Sequence, residues 1–265
     1  MKWGLFSMNL KRCLLGLTIF AVAVFGLAGC GTGEKTASNV WRVGTDASYA
    51  PFGFQDEKSH EYVGFDIDII RAIAETQGHE VAIKNLNFDG LIPALQTGDL
   101  DIAISDMTIN EERAKTVDFT DSYYKAGLSM VVRADETRIN SFDDLEGLRV
   151  GVTIGSTGAE AARGIPNADL HEFSTISDAF LDLYNGGVDV VVNDTPVDEY
   201  YVENKGKGIA KVVPAQINQE DLGIAVKKDN AELLNQLNAG LKTIRENGEY
   251  AEIYRKWFGK EPPAE

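Results

Sequence analysis

The sequence predicts an α/β protein made of two similar lobes. Apolar strands alternate with amphipathic helices, and this order is typical of a mainly parallel sheet flanked by helices. The order then restarts, and residues 100–106 (LDIAISD) are matched in type, position by position, by residues 188–194 (VDVVVND). Each segment follows a predicted helix that ends at a glycine, Gly98 in one case and Gly187 in the other. Matching flanks favour a repeated lobe over a chance likeness between apolar strands.

The first half reads as three strand–helix units. Asp66 is expected to cap a helix that ends at Gly78, because a carboxylate suits the N-cap and glycine suits the position after the helix. Either Asn87 or Asp89 begins the next helix, while Pro51 holds the preceding residue in extended or turn geometry. The predicted strands are 40–45, 81–83, 102–104 and 117–119, and the predicted helices are 66–77, 87–96 and 113–115.

The second half repeats this alternation. Ser141 and Ser177 are expected to cap helices, and Thr195 with Pro196 begins another, with proline near its favoured first turn. Two helices close the chain, the first with leucines on one face and the second ending in aromatic residues. The predicted strands are 128–132, 148–153, 171–173, 188–192, 209–213 and 222–226, and the helices before the closing pair are 141–145, 159–163, 178–184 and one from 195.

Residues 1–29 predict a secretory signal peptide. Lys11 and Arg12 precede an apolar run at 14–27, which is shorter than the ~20 residues that a membrane-spanning helix needs. The sequence LAGC, which ends at Cys30, resembles the lipobox of bacterial lipoproteins; an ordinary signal peptide with a chance cysteine is the alternative. Residues 30–39 are small and polar and suit a flexible tether. We expect a lipid on Cys30 to anchor an extracytoplasmic protein to the membrane surface.

Charge and cysteine content exclude several classes of protein. The net charge is −16, and loss of the signal peptide removes three cationic residues and no acidic ones, which brings it to −19. Such an acidic surface argues against nucleic-acid binding and suits cationic ligands, although a merely solvated surface also explains it. The mature domain would have no cysteine for a disulfide, and the three histidines lack metal-ligand spacing. We expect no metal, no cofactor and a monomer.

A polar strand end marks the first half of a candidate ligand site. The strand at 102–104 ends in Ser105, Asp106 and Thr108, and Arg113 follows at the start of a short helix. Ligands of open α/β sheets bind at this carboxyl edge, and a guanidinium can bind a carboxylate with two parallel hydrogen bonds. A surface arginine paired with a neighbouring glutamate is the alternative for Arg113 alone.

A glycine-rich turn marks the second half. Gly155-Ser156-Thr157-Gly158 follows a strand and begins a helix, so its backbone N–H groups and two hydroxyls could receive an anion. The glycine spacing differs from the dinucleotide-binding fingerprint, and the phosphate-binding lysine is missing. The segment favours a carboxylate over a nucleotide, with a plain tight turn as an equal alternative.

Aromatic and acidic residues complete the candidate site. Tyr49 and Phe88 are interpreted as ligand contacts, because aromatic faces sandwich aliphatic or cationic groups. Asp46 lies just past the first strand, and Asp106 and Asp194 end the two matched strands, where one of them can take an ammonium. A helix cap is the alternative for Asp194. Catalytic motifs are weak, since no histidine neighbours Ser156 and no nucleophile elbow occurs.

Seven segments together resemble a known family. The chain is similar to the extracytoplasmic solute-binding proteins, family 3, of polar amino-acid ABC importers, and especially to the glutamine and lysine/arginine/ornithine binders. The likeness covers essentially all of the mature chain, in order. The segments are TDASYAPFGF (45–54), GFDIDIIRAIA (64–74), FDGLIPALQTGDLDIAISDMTINEER (88–113), VDFTDSYYKAG (117–127), VGVTIGSTG (150–158), NDTPV (193–197) and IRENGEYAEIYRKWFG (244–259).

The resemblance implies a fold of two α/β lobes, of the type II periplasmic binding proteins, joined by two crossings. It implies lobe one at 40–124 and 222–265, and lobe two at 125–221. It also implies that the protein is not an enzyme, and that the lobes close on an amino acid and deliver it to an ABC permease. The implied roles are Arg113, Thr108, Ser156 and Thr157 for the α-carboxylate, Asp194 with Ser105 and Asp106 for the α-ammonium, Tyr49 and Phe88 for the side-chain faces, and Asp46 for its polar tip.

Two departures from the family pattern bear on the ligand. Asp106 stands where these binders usually have glycine, alanine or serine, and an added carboxylate favours arginine or lysine unless it points away. Thr153 with Ile154 replaces a lysine seen in some glutamine binders, which weakens the case for glutamine. The alternative is a periplasmic dehydratase of the cyclohexadienyl type, with Asp106 and Asp194 as its acid–base pair. A sensor domain is a third class, disfavoured because no C-terminal membrane helix follows.

Overall fold

The computed structural model describes residues 39–213 and 219–263. The predicted signal peptide, Cys30 and all of the predicted tether except Asn39 lie outside the described residues. Within these two ranges, no helix is both long enough and apolar enough to cross a membrane.

Helices and strands alternate through the described chain. The helices are α1 (Phe65–Thr76), α2 (Phe88–Thr97), α3 (Glu111–Ala114), α4 (Thr157–Arg163), α5 (Ile176–Asn185), α6 (Thr195–Asn204), α7 (Ala231–Glu246) and α8 (Glu249–Phe258), with a short 3-10 helix at Phe142–Leu145. The strands are β1 (Val40–Thr45), β2 (Ser48–Tyr49), β3 (Gly53–Gln55), β4 (Tyr62–Val63), β5 (Glu80–Asn85), β6 (Ile102–Ala103), β7 (Val117–Phe119), β8 (Tyr124–Ala126), β9 (Leu128–Arg133), β10 (Arg149–Thr153), β11 (Asp169–Phe173), β12 (Val190–Asp194), β13 (Ala210–Val213), β14 (Glu220–Leu222) and β15 (Ala225–Lys227).

Two five-stranded sheets confirm the predicted two-lobed α/β fold. The first has the order β5-β1-β6-β15-β7, and the second has the order β11-β10-β12-β9-β13. In each sheet the first three strands are parallel, while the fourth, β15 or β9, is antiparallel to both of its neighbours. The matched segments 100–106 and 188–194 contain β6 and β12, the third strand of each sheet, so both polar strand ends occupy equivalent places. The predicted lobe boundaries remain predictions.

A two-stranded sheet links the two larger sheets, and it corrects the expected strand at 222–226. That segment is broken by Gly223: β14 pairs with β8 in the link, and β15 pairs inside the first sheet. The link also runs beside the loop after β6. The N–H of Ile109 donates to the Asp221 carbonyl at 2.8 Å, and the N–H of Gly223 donates to the Met107 carbonyl at 3.0 Å.

Two expected helix caps are wrong, for different reasons. Helix α1 begins after Gly64 without a side-chain cap, and Asp66 lies fully buried with its carboxylate turned to other partners. Helix α5 is capped by Thr175, whose hydroxyl accepts from the N–H of Asp178 at 3.2 Å, whereas Ser177 lies within the helix. In α1, the Asp66 carboxylate bonds residues that are distant in sequence instead of capping the helix. In α5, the helix begins two residues earlier than the sequence pattern indicated.

Candidate functional site

Nine of the ten predicted ligand residues line one cavity. The cavity draws on both sheets, since its walls include the loop after β6, the end of β10 with the turn that follows it, and the last residue of β12. Thr153 joins the predicted residues, and Asp46 is absent from the described lining. The lining consists of Tyr49, Phe88, Ser105, Asp106, Thr108, Arg113, Thr153, Ser156, Thr157 and Asp194.

Arg113 is a buried residue of this cavity, with 7% of its surface exposed. Asn110 caps the short helix α3 by accepting the Arg113 N–H at 2.8 Å, which fixes the backbone from which the side chain extends. The guanidinium donates to the Thr108 carbonyl at 2.8 Å and to the Gly155 carbonyl at 3.0 Å. Burial lowers its pKa, yet an arginine keeps its charge in proteins. Its remaining N–H groups can donate hydrogen bonds to a ligand carboxylate.

The same guanidinium lies over an aromatic ring. Its central carbon is 5.1 Å from the centroid of Phe88, within the range of a cation–π contact. Phe88 begins α2, and it reaches the guanidinium from the first-sheet side of the cavity. Arg113 therefore occupies one face of the Phe88 ring.

Asp106 presents a buried carboxylate to the cavity. It is 4% exposed, and neither carboxylate oxygen has a hydrogen-bond partner among the described residues. Its backbone N–H donates to Asp66 Oδ2 at 2.8 Å, which holds it at a φ of +49°. Burial raises the pKa of Asp106 well above its usual value, and the charges of Asp194, Asp66 and Glu220 raise it further. A ligand cation would lower that pKa by stabilising the charged form.

Asp194 faces Asp106 from the second lobe. It holds the N-cap position of α6 but makes no side-chain cap bond. Its Oδ2 accepts a hydrogen bond from the Tyr49 hydroxyl, and its Oδ1 has no partner among the described residues. Burial raises the pKa of Asp194 to about 7, with a further contribution from Glu220. The cap interpretation therefore does not account for the carboxylate.

Tyr49 joins the two lobes across the cavity. Besides Asp194, its hydroxyl contacts Asn193 Oδ1, and both partners lie at the end of β12. A phenol has one hydrogen, so it can donate to only one of these oxygens at a time. Burial, followed by the Asp194 charge, raises the pKa of Tyr49 well above its usual value, so the hydroxyl stays protonated.

The hydroxyls predicted to bind a ligand carboxylate have protein partners. Ser156 accepts from the N–H of Ala159 at 3.0 Å as the cap of α4 and donates to the Thr153 carbonyl at 2.8 Å. Thr108 and Thr157 both donate to Glu220 Oε2, at 2.6 Å and 2.9 Å. Because their hydroxyls are engaged with protein groups, these three residues can bind a ligand carboxylate here only through their backbone N–H groups. That role stays a prediction.

Asp46 and Ser105 support the site from behind. The N–H of Asp46 donates to the Ser105 hydroxyl at 3.0 Å, which ties β1 to the end of β6. The Asp46 carboxylate accepts from the N–H and hydroxyl of Ser48 and from the N–H of Phe88 at 3.2 Å. This geometry makes Asp46 a support for the first turn of α2 and for the turn before Tyr49. Its expected contact with a ligand tip remains a prediction.

Sequence reasoning missed four residues that shape the cavity. Thr153 lines it, and its buried hydroxyl has no partner among the described residues. Asp66, Asn193 and Glu220 each bond a cavity residue from outside the lining. Asn193 was visible beside Asp194, whereas Asp66 looked like a helix cap. No local pattern distinguished Glu220 from the other acids of this chain.

Comparison with known proteins finds relatives over most of the chain. The family model of bacterial extracellular solute-binding proteins, family 3, matches residues 41–260. A probable histidine-binding protein of Neisseria gonorrhoeae is 34% identical over 96% of this chain and 98% of its own. Among solved structures, an ancestral arginine-binding protein bound to arginine has 43% identity and a TM-score of 0.81, covering 83% of this chain and 99% of that one. An ancestral arginine-binding protein bound to glutamine has 44% identity and a TM-score of 0.79, covering 84% and 99%.

The chain belongs to the bacterial extracellular solute-binding proteins, family 3. The family resemblance inferred from the seven segments is thereby confirmed. The protein is an extracytoplasmic solute-binding protein of amino-acid ABC transport, and it is a binding protein rather than an enzyme. A polar amino acid is its class of ligand.

Proposed function

We propose that this protein captures a cationic L-amino acid, L-arginine first and lysine or ornithine next, and delivers it to the permease of an ABC importer. The Asp106 carboxylate is the observation that carries the proposal. A buried carboxylate without a partner is costly, and a ligand cation that reaches it removes that cost. The acidic residues of the site match the acidic character of the whole chain, whose net charge of −16 attracts cationic ligands.

Each charge of the proposed ligand has a complementary group. Arg113 binds the α-carboxylate through the guanidinium N–H groups that do not bond Thr108 and Gly155. Asp194 binds the α-ammonium through Oδ1, and Asp106 binds the cationic end of the side chain. Tyr49 and Phe88 cover the aliphatic part between these ends. Closure of the lobes then excludes water, which strengthens each charged contact.

Glutamine is the alternative ligand, because one structural relative of this chain was solved bound to glutamine. Its amide is neutral, so Asp106 would have to bind a proton to avoid a buried, unbalanced charge. Burial raises the pKa of Asp106, so a neutral amide binds its protonated form, whereas a cation binds its ionised form. The dehydratase alternative has less support, because the relatives compared above are named as binding proteins.

The anchor and the oligomeric state belong to the same proposal. Cys30 is lipidated after removal of residues 1–29, and residues 30–39 tether the binding domain to the outer side of the membrane. The protein acts as a monomer, because the two lobes and the link between them complete the cavity within one chain. Anchoring keeps the captured amino acid close to the permease.

A thermal-shift series on the purified mature chain tests the ligand. Arginine, lysine, ornithine, histidine and glutamine are compared at one concentration and one pH. A ligand at 100 times its Kd stabilises by about 2.7 kcal/mol, which for a chain of this size raises Tm by roughly 5–10 °C. We expect the largest shift with arginine. A shift with glutamine and none with arginine would overturn the cationic assignment.

A further inference from the structure

Glu220 is the one acid of the described chain whose side chain bonds hydroxyls from both sides of the cavity. Its Oε2 accepts from Thr108 Oγ1 at 2.6 Å and from Thr157 Oγ1 at 2.9 Å. Thr108 follows β6 of the first sheet, and Thr157 begins α4, which packs on the second sheet. Glu220 itself begins β14 in the link between the sheets. Three parts of the molecule therefore meet at one carboxylate oxygen.

The backbone presets Glu220 for this position. Glu220 pairs with Ala126 across the link, and the hydrogen bonds of Ile109 and Gly223 hold β14 beside the loop that carries Thr108. The bond to Thr108 thus joins segments that are already tied together. The bond to Thr157 is the one that reaches α4 on the second sheet. Separation of the lobes must break it.

The chemistry of this contact favours a tight closed state. A hydroxyl has one hydrogen, so each threonine that donates to Glu220 Oε2 turns only lone pairs elsewhere. Glu220 is 6% exposed, so the two charge-assisted bonds are shielded from water. Opening would expose the carboxylate to solvent, which can replace the lost donor.

We propose that Glu220 is a positioning residue that latches the lobes in the closed state. It acts through the Thr157 hydroxyl, and it slows release of the ligand rather than assisting the first encounter. The identity of the ligand whose release is slowed rests on the proposed function, whereas the geometry of the latch does not.

Stopped-flow binding of L-arginine tests the latch kinetically. We expect Glu220→Gln and Thr157→Val each to raise koff by about tenfold or more, with kon changed by less than about twofold, because interactions formed only after closure act on release. The double variant should release no faster than the faster single variant, because Glu220→Gln weakens and Thr157→Val removes the same bond. Asp221→Asn, on the same strand but exposed, is the matched control and should resemble wild type. Unchanged koff, or additive effects, would overturn the latch.

A ligand-independent measurement separates this proposal from the proposed function. Spin labels are placed on exposed positions of the two lobes by Lys84→Cys and Asn185→Cys, and the inter-label distance is measured without ligand. Asp221→Asn and wild type should give the same distance distribution. Glu220→Gln should give a different one. Identical distributions would overturn the latch. Failure of wild type to bind arginine would instead refute the cationic ligand, while the distance result still decides the latch.

Discussion

The carboxylate of Asp66 holds the backbone of Asp106 in place. Asp66 Oδ2 accepts the Asp106 N–H at 2.8 Å, and its Oδ1 accepts the Tyr123 hydroxyl at 2.8 Å. Asp106 adopts a φ of +49°, in the left-handed region that aspartate, asparagine and glycine tolerate best. A fully buried acid on α1 therefore decides where the carboxylate of the cavity points.

Asp106→Asn is expected to reduce selectivity for cationic ligands. Asparagine tolerates the same left-handed backbone, so the substitution removes the charge with little strain. Hydrogen bonds to charged groups contribute ~1.5–3 kcal/mol, so arginine affinity should fall by on the order of 10–100-fold. Glutamine affinity should stay unchanged or rise. Calorimetry with both ligands measures the ratio.

Asp229→Asn is the matched control for that change, because Asp229 also has a left-handed φ, of +65°, but is exposed. It should leave both affinities unchanged. An equal loss of arginine and glutamine binding in Asp106→Asn would show that Asp106 serves the shared backbone part of the ligand instead.

Arg113→Ala is expected to abolish most of the affinity for any amino acid. Removing one partner of a buried charge pair costs on the order of 2–5 kcal/mol, and the α-carboxylate is common to all candidate ligands. Arg113→Lys should recover part of the loss, because lysine keeps the charge but lacks the planar fork. Calorimetry with arginine and glutamine should find parallel losses. Near-normal affinity in Arg113→Ala would refute the carboxylate assignment, and Arg42→Lys, in an exposed ion pair, is the control.

The ligand-free protein is expected to lose stability as pH rises from about 4 to above 7. Burial raises the pKa of Asp66 to about 7 in the folded state, from 3.8 in the absence of burial. Between these values the folded state holds a proton that the unfolded state has released, so folding weakens with increasing pH. A rise of roughly three pKa units corresponds to about 4 kcal/mol once both states are ionised. Denaturant unfolding at pH 5 and pH 8 measures the slope.

Asp66→Asn provides the test of that slope. An amide can still accept the Asp106 N–H and can donate to the Tyr123 hydroxyl, so the contacts survive without a titrating group. The variant should show a flatter pH dependence than wild type, with its gain in stability confined to the higher pH. An unchanged slope would remove Asp66 from the explanation and leave the other buried acids whose pKa burial raises, Asp106, Asp194 and Asp198.

Stabilisation by arginine is expected to follow the opposite trend. A cation binds ionised Asp106 and Asp194, and both acids hold protons at low pH because burial raises their pKa. The Tm shift caused by a fixed arginine concentration should therefore be larger at pH 8 than at pH 5. Asp106→Asn should reduce this pH dependence. A larger shift at pH 5 would contradict the cationic-ligand model.

Cys30→Ser is expected to release the protein from the membrane. Metabolic labelling with a fatty acid should mark the wild type and leave the variant unlabelled, and the variant should appear in the soluble extracytoplasmic fraction. Cys13→Ser, inside the predicted signal peptide, is the control and should remain labelled and anchored. Equal labelling of both variants would refute lipidation at Cys30.

Much of the fold and most of the candidate lining could be predicted from local patterns. The alternation of strands and helices, the matched segments around β6 and β12, and nine lining residues were all visible in the sequence. Asp66 and Ser177 were misread as helix caps, because propensity alone does not report a competing partner or the first turn of a helix. The strand expected at 222–226 was misread because an apolar run carries no mark of the place where its pairing partner changes.

The sequence by itself determined the two-lobed α/β fold, the amino-acid class of the ligand and the identity of the residues at the two polar strand ends. The fold and the strand ends depend on periodicity and on short motifs, which are local, and the ligand class was implied by the resemblance of seven segments to a known family. Only the tertiary structure decided that Asp106 faces the cavity without a partner and that Glu220 joins Thr108 to Thr157. The deciding contacts connect residues 40 and 112 positions apart, and hydrogen bonds over such separations are set by the packing of the sheets.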